Sequence, residues 1–318
     1  MAAESSFRAM GSDCHIIVVG GPPGLLDVAL HRVDDLEQRW SRFIPTSEVS
    51  RLNEHPGVPM RVSADTAELV RRALEAWHLS GGSYDPTVLG AVLRAGYDRS
   101  FEKLGEEPGP DPALGTSPLQ LGAARIEITG ETVRLPAGTG FDPGGIGKGL
   151  AADLVAEDVM AAGAEGVCVN LGGDVRVRGV GPADGGWTVA VEHPWSDEPI
   201  AVLGLTDGAV ATSTTLRRQW VSNGEQRHHL IDPATGLPSD TDLTLATVVT
   251  GQGWVAEVLA KAVLLRGAAH PFDLLGGTGA QALVVDRAGA VTTTPGLNEF
   301  LGEAYHRTSI EQPRGHAT

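Results

Sequence analysis

Three short stretches of this sequence carry residues able to do chemistry. The first, FDPGGIGKG at 141–149, is glycine-rich and leads into an apolar helical run. Backbone N–H groups at a helix start, with Lys148 beside them, form a site for an anion, most often phosphate. It is not a P-loop: Asp142 stands where the first glycine belongs, and Gly149 where Ser or Thr would follow the lysine. Gly147, Gly149 and Ala152 fit a dinucleotide fingerprint, with Asp174 as its ribose acid. The preceding strand, however, ends near Leu135, too far back for that motif's tight turn. A glycine-rich connector without a ligand fits as well. In the second stretch, HHLIDPATG at 228–236, two histidines precede an Asp-Pro turn. A histidine there can serve as general base, because imidazole titrates near neutrality. A capped loop with solvated histidines is the plain alternative. The third, SGGSYDPT at 80–87, is compatible with a helix stop followed by an Asx-type turn.

The elements that must position these stretches are legible from periodicity. CHIIVVG reads as a buried strand. Residues 23–40 place Leu26, Ala29, Leu30, Val33, Leu36 and Trp40 at helical spacing. Ser63 is a candidate cap for a second helix with Leu69, Val70, Ala73, Leu74 and Trp77 inward. RIEITGETVRL reads as a hairpin turning near Gly130. After the glycine loop come the helix LAADLVAEDVMAAG, the strand VCVNLGG, and the short strands VRVRG, WTVAVEH, IAVLGL and AVATS. LTLATVVT, the helix WVAEVLAKAVLLRG and the strand QALVVDR follow. Strands and helices interleave without a strict βαβ rhythm. The expectation is therefore an α+β fold, one mixed domain over 1–301. A Pro/Gly-rich surface loop at 102–120 and a polar tail at 302–318 complete it.

Composition narrows the function classes. The chain has 318 residues, 24 Lys+Arg against 40 Asp+Glu, and a formal net charge of -16, without a basic patch. That argues against nucleic acid and against an anionic membrane surface as partners. No apolar run approaches the roughly 20 residues of a spanning helix. The N-terminus lacks a signal-type apolar region, so the cytoplasm is the expected location. Cys14 and Cys168, the two cysteines, sit in apolar strand-like runs and read as small hydrophobes.

Taken in order, the motifs resemble one family, the bacterial FAD:protein FMN transferases, or ApbE flavin transferases. The likeness runs through AMGSD at 9–13, SRFIPTSEVSRLN at 41–53, SYDPT at 83–87 and DPGGIGKGLAADLV at 142–155. It continues in VNLGGDVRVRG at 169–179, ATS at 211–213, HHLIDPATG at 228–236 and WVAEVLAK at 254–261. The resemblance implies an ApbE-like α+β fold that takes FAD as substrate. It implies that FMN is joined through a phosphoester to a Thr or Ser of an acceptor flavoprotein and that AMP is released. By position, it implies FAD contacts from Met10, Phe43, Ser83, Tyr84, Asp85, Asp142, Lys148 and Leu230; Lys261, at a family ligand position, is expected to reach FAD through its charge. It makes His229 the base for the acceptor hydroxyl, and Lys148 a catalytic charge. A non-catalytic FAD-binding protein, an FAD pyrophosphatase and, more distantly, a nicotinamide-dependent oxidoreductase are the competing readings.

One position departs from the family pattern. The family holds Mg²⁺ with a glycine-loop carbonyl and with an Asp and a Thr one helical turn apart. Here the resemblance puts the carbonyl at Gly145, Glu257 at the Asp position and Lys261 at the Thr position. Glutamate can ligate a hard cation. A protonated lysine cannot, having no lone pair. Three readings stay open: the Lys261 ammonium, held by Glu257, partly stands in for the metal; the site binds metal weakly; or transfer is lost.

Overall fold

β-Branched runs separated by tight turns build one antiparallel sheet. Its strands are β1 (Ala2–Ala9), β2 (Ser12–Val19), β3 (Gly166–Leu171) and β4 (Asp174–Gly179). They continue with β5 (Gly208–Thr214), β6 (Leu243–Thr250), β7 (Gln281–Asp286) and β8 (Val291–Thr293). The eight lie side by side in chain order, every neighbouring pair antiparallel. Cys14 pairs with Leu171, and Val210 with both Val175 and Val249. This computed structural model describes residues 1–101, 120–182, 186–222 and 225–301. The predicted loop at 102–120, save Gln120, and the tail at 302–318 lie outside them.

The period of two in a strand sends alternate residues to opposite faces. On β3, Val167, Val169 and Leu171 join the helical side, while Cys168 packs on the other. On β6, Ala246 and Val248 take the helical side, and Leu245 and Val249 the opposite one. The far face is covered by the hairpin of Trp187–Val191 with Ala201–Leu205, and by a helical turn at Pro295–Phe300. Both cysteine thiols are free. Among the described residues, no helix is long and apolar enough to cross a membrane.

Six helices cover the site side: α1 (Leu25–Trp40), α2 (Glu48–Glu54), α3 (Ala64–Leu79), α4 (Leu89–Arg94), α5 (Gly147–Ala161) and α6 (Gly253–Arg266). α1 buries one stripe, Leu25, Ala29, Val33, Leu36 and Trp40. Ser63 caps α3 as expected, accepting from the Thr66 N–H at 3.3 Å. The hairpin around Gly130 also forms, from Glu127–Thr129 and Thr132–Arg134. α5 and α6 bury residues around much of their circumference, as helices in the middle of a core must.

Two corrections concern the chemistry-bearing elements. α5 starts at Gly147, so Gly147, Lys148 and Gly149 are its first turn and not part of a loop. A single helical turn, Pro143–Gly145, precedes it. The antiparallel sheet also lacks the parallel βαβ unit of a dinucleotide fold, which removes the structural basis of the nicotinamide reading.

α5 and α6 meet at their N-terminal ends through two glycines. A Cβ on Gly149 would lie 2.3 Å from the Gly253 carbonyl oxygen, and one on Gly253 2.5 Å from the Gly149 oxygen. Backbone cannot yield as a flexible side chain would. Gly149→Ala should therefore destabilise the chain by about 1–3 kcal/mol, the usual range for overpacking. Denaturant titration checks this; an unchanged midpoint would show that the helices can separate without cost.

Candidate active site

The close crossing places the first turn of α5 against the N-terminal turns of α6, and a charge cluster forms there. Glu257, 1% exposed, reaches from α6 to accept the Gly149 N–H at 2.8 Å through Oε2. Its Oε1 takes the Lys261 ammonium at 3.0 Å and has the Lys148 ammonium 3.5 Å away. Lys148 also pairs with Asp174 at the start of β4. In return, Asp153 of α5 accepts the Gly253 and Trp254 N–H groups at 2.7 and 3.0 Å, capping α6. Burial lifts the Asp153 carboxyl to about 6, against the pull of those N–H groups and of Arg176.

Burial opposes the charges of Glu257 and Lys148, yet there the partners win, whereas at Asp174 burial outweighs Lys148 and lifts the carboxyl above its ordinary value. Burial pushes the Glu257 carboxyl up, but the Lys148 and Lys261 ammoniums and the Gly149 N–H hold it below its ordinary value. Burial likewise pulls Lys148 down, and the Asp174 and Glu257 carboxylates keep it above its ordinary value. Both residues are therefore ionised at neutral pH.

The cluster floors a cavity of about 490 Å³, within the range of small-molecule sites. Met10, Phe43, Ser83, Tyr84 and Asp85 line it, as do Asp142, Gly145, Lys148, His229, Leu230 and Lys261. All the predicted site residues except Glu257 thus reach one cavity from segments far apart in sequence. Glu257 lies behind the lysines.

The contacts assign local work to several of them. Asp85 accepts the Thr87 N–H at 2.7 Å, the Asx turn that the motif suggested. Asp142 accepts the Gly144 N–H at 2.8 Å and caps the helical turn before α5. Gly145 is needed for closeness: a Cβ there would fall 2.5 Å from the Tyr84 ring and 3.6 Å from Lys261 Cδ. The glycine segment is also less open to anions than expected, since Glu257 already occupies the Gly149 N–H.

The two adjacent histidines separate cleanly. His228 Nε2 is tied to the Ser239 carbonyl at 2.9 Å. His229 Nδ1 is buried without a hydrogen-bond partner among the described residues. Burial, then the positive charges of Arg218, Lys261, His228 and Lys148, hold the His229 imidazole well below the ordinary histidine value. It is neutral at pH 7 and can accept a proton. Tyr84 OH and Trp40 Nε1, on two more lining residues, are likewise buried without partners. Native buried polar groups usually have partners, so orphans gathered around one cavity point to a polar ligand. Burial, with the carboxylates of Asp142, Glu257 and Asp85 nearby, keeps the Tyr84 phenol protonated.

Among the lining residues that sequence reasoning did not assign to the site are Arg42, Tyr97 and Arg218. Arg42 stacks 4.1 Å from the Phe43 ring centroid and 4.7 Å from that of Tyr97. Arg218 donates to the Gly11 carbonyl at 3.2 Å and to Ser12 Oγ at 2.9 Å. Arg218 and Met10 are the two non-glycines with positive φ among the described residues, at 51° and 50°. Both line the cavity, consistent with the clustering of strained backbone at functional sites. Arg42 stands inside the motif SRFIPTSEVSRLN, and Tyr97 offered its aromatic character; Arg218 carried no signal in the sequence.

Magnesium, which the resemblance implied at Gly145 and Glu257, does not fit these residues. Glu257 spends Oε2 on a backbone N–H and Oε1 on an ammonium, and Lys261 has no lone pair to give. Among the described residues, no group of three His, Cys, Asp or Glu side chains is arranged to hold a metal. At 4 Å and an effective dielectric of 20, two unit charges repel by about 4 kcal/mol, and a divalent ion beside an ammonium by about twice that.

Comparison with known proteins identifies the family and the fold. The sequence profile of the ApbE family matches residues 10–284. A FAD:protein FMN transferase of Klebsiella pneumoniae is 33% identical over 253 residues, 73% of this chain and 76% of that protein. One from Vibrio cholerae is 27% identical over 282 residues, 86% of this chain and 81% of that protein. The crystal structure of the ApbE protein of Thermotoga maritima matches with a TM-score of 0.84 at 26% identity, over 95% of this chain and all of that one. The family profile spans most of the chain, and this chain belongs to the ApbE family.

Proposed function

We propose that this chain is a FAD:protein FMN transferase. The observation that carries the reading is the single cavity joining a neutral, unpartnered His229 to the ammonium groups of Lys148 and Lys261. FAD is the substrate, and an acceptor protein with a Thr or Ser receives FMN. The curated relatives bear the name of this activity. The chain works in the cytoplasm as one catalytic domain over 1–301.

The reaction needs an oriented nucleophile and positive charge on the leaving side. Phe43 and Tyr97, bridged by the Arg42 guanidinium, offer an aromatic face for the flavin. Met10 and Leu230 add apolar contact, and Ser83 and the Tyr84 phenol supply polar ones. Asp142 holds the turn at Gly144 that brings the backbone up to the diphosphate. His229 takes the proton of the acceptor hydroxyl. The acceptor oxygen bonds to the FMN-side phosphorus, the bridging P–O bond breaks, and its electron pair leaves on AMP. Lys148 meets the negative charge of the diphosphate.

A ligand comparison tests the site. FAD should raise the thermal midpoint and NAD should not. At a hundredfold excess over Kd the gain is about 2.7 kcal/mol. A shift with NAD and none with FAD would remove the flavin reading.

A further inference from the structure

Lys261 follows Glu257 by one turn of α6, and ordinarily such an i, i+4 pair is a solvated surface feature. This one is not. Glu257 is 1% exposed and Lys261 15%, and their neighbours Leu259, Ala260, Ala262 and Val263 are fully buried. A lysine kept in such surroundings carries a desolvation cost, which calls for a compensating role. The ammonium is fixed by Glu257 Oε1, and the side chain lines the cavity beside Gly145 and His229. Glu257 faces both ammoniums and Asp174 pairs with Lys148, so every carboxylate of the cluster already has a lysine partner.

We propose that the Lys261 ammonium, fixed by Glu257, joins Lys148 at the FAD diphosphate and stands there in place of a metal ion, and that FAD binding and FMN transfer proceed without a divalent metal. The inference rests on the transferase reading. It assigns Lys261 to the oxygen that bridges the two phosphorus atoms. As that P–O bond breaks, the electron pair and negative charge pass to the AMP oxygen, and the ammonium lies against it. The proton lost by the acceptor hydroxyl goes to His229, so the lysine stays protonated and gives up nothing. A covalently attached charge is present at full occupancy, and it already holds Glu257 Oε1.

The test uses the full chain, stripped with EDTA and then split into samples with and without added Mg²⁺. FAD binding is followed by flavin fluorescence, and turnover, in samples that also hold an apo acceptor protein with a target Thr or Ser, by AMP formed. The expected result is the same FAD affinity in both samples, with no stoichiometric Mn²⁺ site by EPR titration. Lys261→Met should weaken FAD binding by about 10–100-fold, the loss of one hydrogen bond to a charged group, and Lys261→Arg should recover part of it. Glu257→Asp combined with Lys261→Thr should make FAD binding depend on Mg²⁺. Loss of FAD binding with EDTA and its recovery with Mg²⁺ would overturn the proposal, as would undiminished FAD binding by Lys261→Met. Should the variants fail to fold, the two wild-type samples decide by themselves. If FAD binds equally in both samples but neither forms AMP, the transferase reading fails while the lysine's place at the diphosphate stands.

Discussion

His229→Ala should cut FMN transfer by roughly 10²–10⁴-fold, the usual contribution of a positioned general base. FAD affinity should change little, because the imidazole is assigned to the acceptor hydroxyl and not to FAD. The basis is threefold: His229 lines the cavity, its Nδ1 has no partner among the described residues, and burial together with nearby positive charges keeps it neutral. The sign of the pH dependence follows. A base with a lowered pKa stays active as pH falls through the ordinary histidine range. The acid limb of kcat/KM, which reports the free enzyme, should therefore lie well below pH 6.5. The bound diphosphate is anionic and raises the imidazole pKa, so the limb of kcat should lie at higher pH than that of kcat/KM. Added imidazole should restore part of the activity of His229→Ala. An unchanged transfer rate would return His229 to the role of a loop residue.

Glu257→Ala should be among the most destabilising single changes in the chain. It removes the acceptor of the Gly149 N–H and the partner of Lys261, and it strips Lys148 of one of its two carboxylates. Removing one member of a buried ion pair typically costs about 3–5 kcal/mol, because an uncompensated charge is left behind. Glu257→Gln retains an acceptor for Gly149 and should cost less. Both losses are read from denaturant midpoints with the slope unchanged. Equal stability of Glu257→Ala and wild type would mean that the lysines reach solvent and that the cluster is no hub.

What could be read in advance depended on whether the signal was local. The stripe of α1, the Ser63 cap and the hairpin at Gly130 are written in adjacent residues, and all three form. The start of α5 was not, because Gly147 and Gly149 carry no helical preference. The carboxylate that completes that end comes from Glu257 on another helix. The motif residues were found through their collinear resemblance to one family. Arg42 lies within SRFIPTSEVSRLN without being singled out there, whereas Tyr97 and Arg218 belong to no such motif, and only the folded chain carries them to the cavity. Arg218 is held there by Gly11 and Ser12, contacts that no spacing rule connects. Lys261 was visible as an anomaly, but its burial and its grip on Glu257 were not.

The most direct test of the central claim follows the flavin itself. The purified chain is mixed with FAD and an apo acceptor protein, then resolved on a denaturing gel and by intact mass. The account predicts a fluorescent acceptor band that survives denaturation, heavier by one FMN less one water, with one AMP formed per flavin attached. Free FMN and AMP in equal amounts, with none of the flavin attached to protein, would contradict it and make the chain a pyrophosphatase.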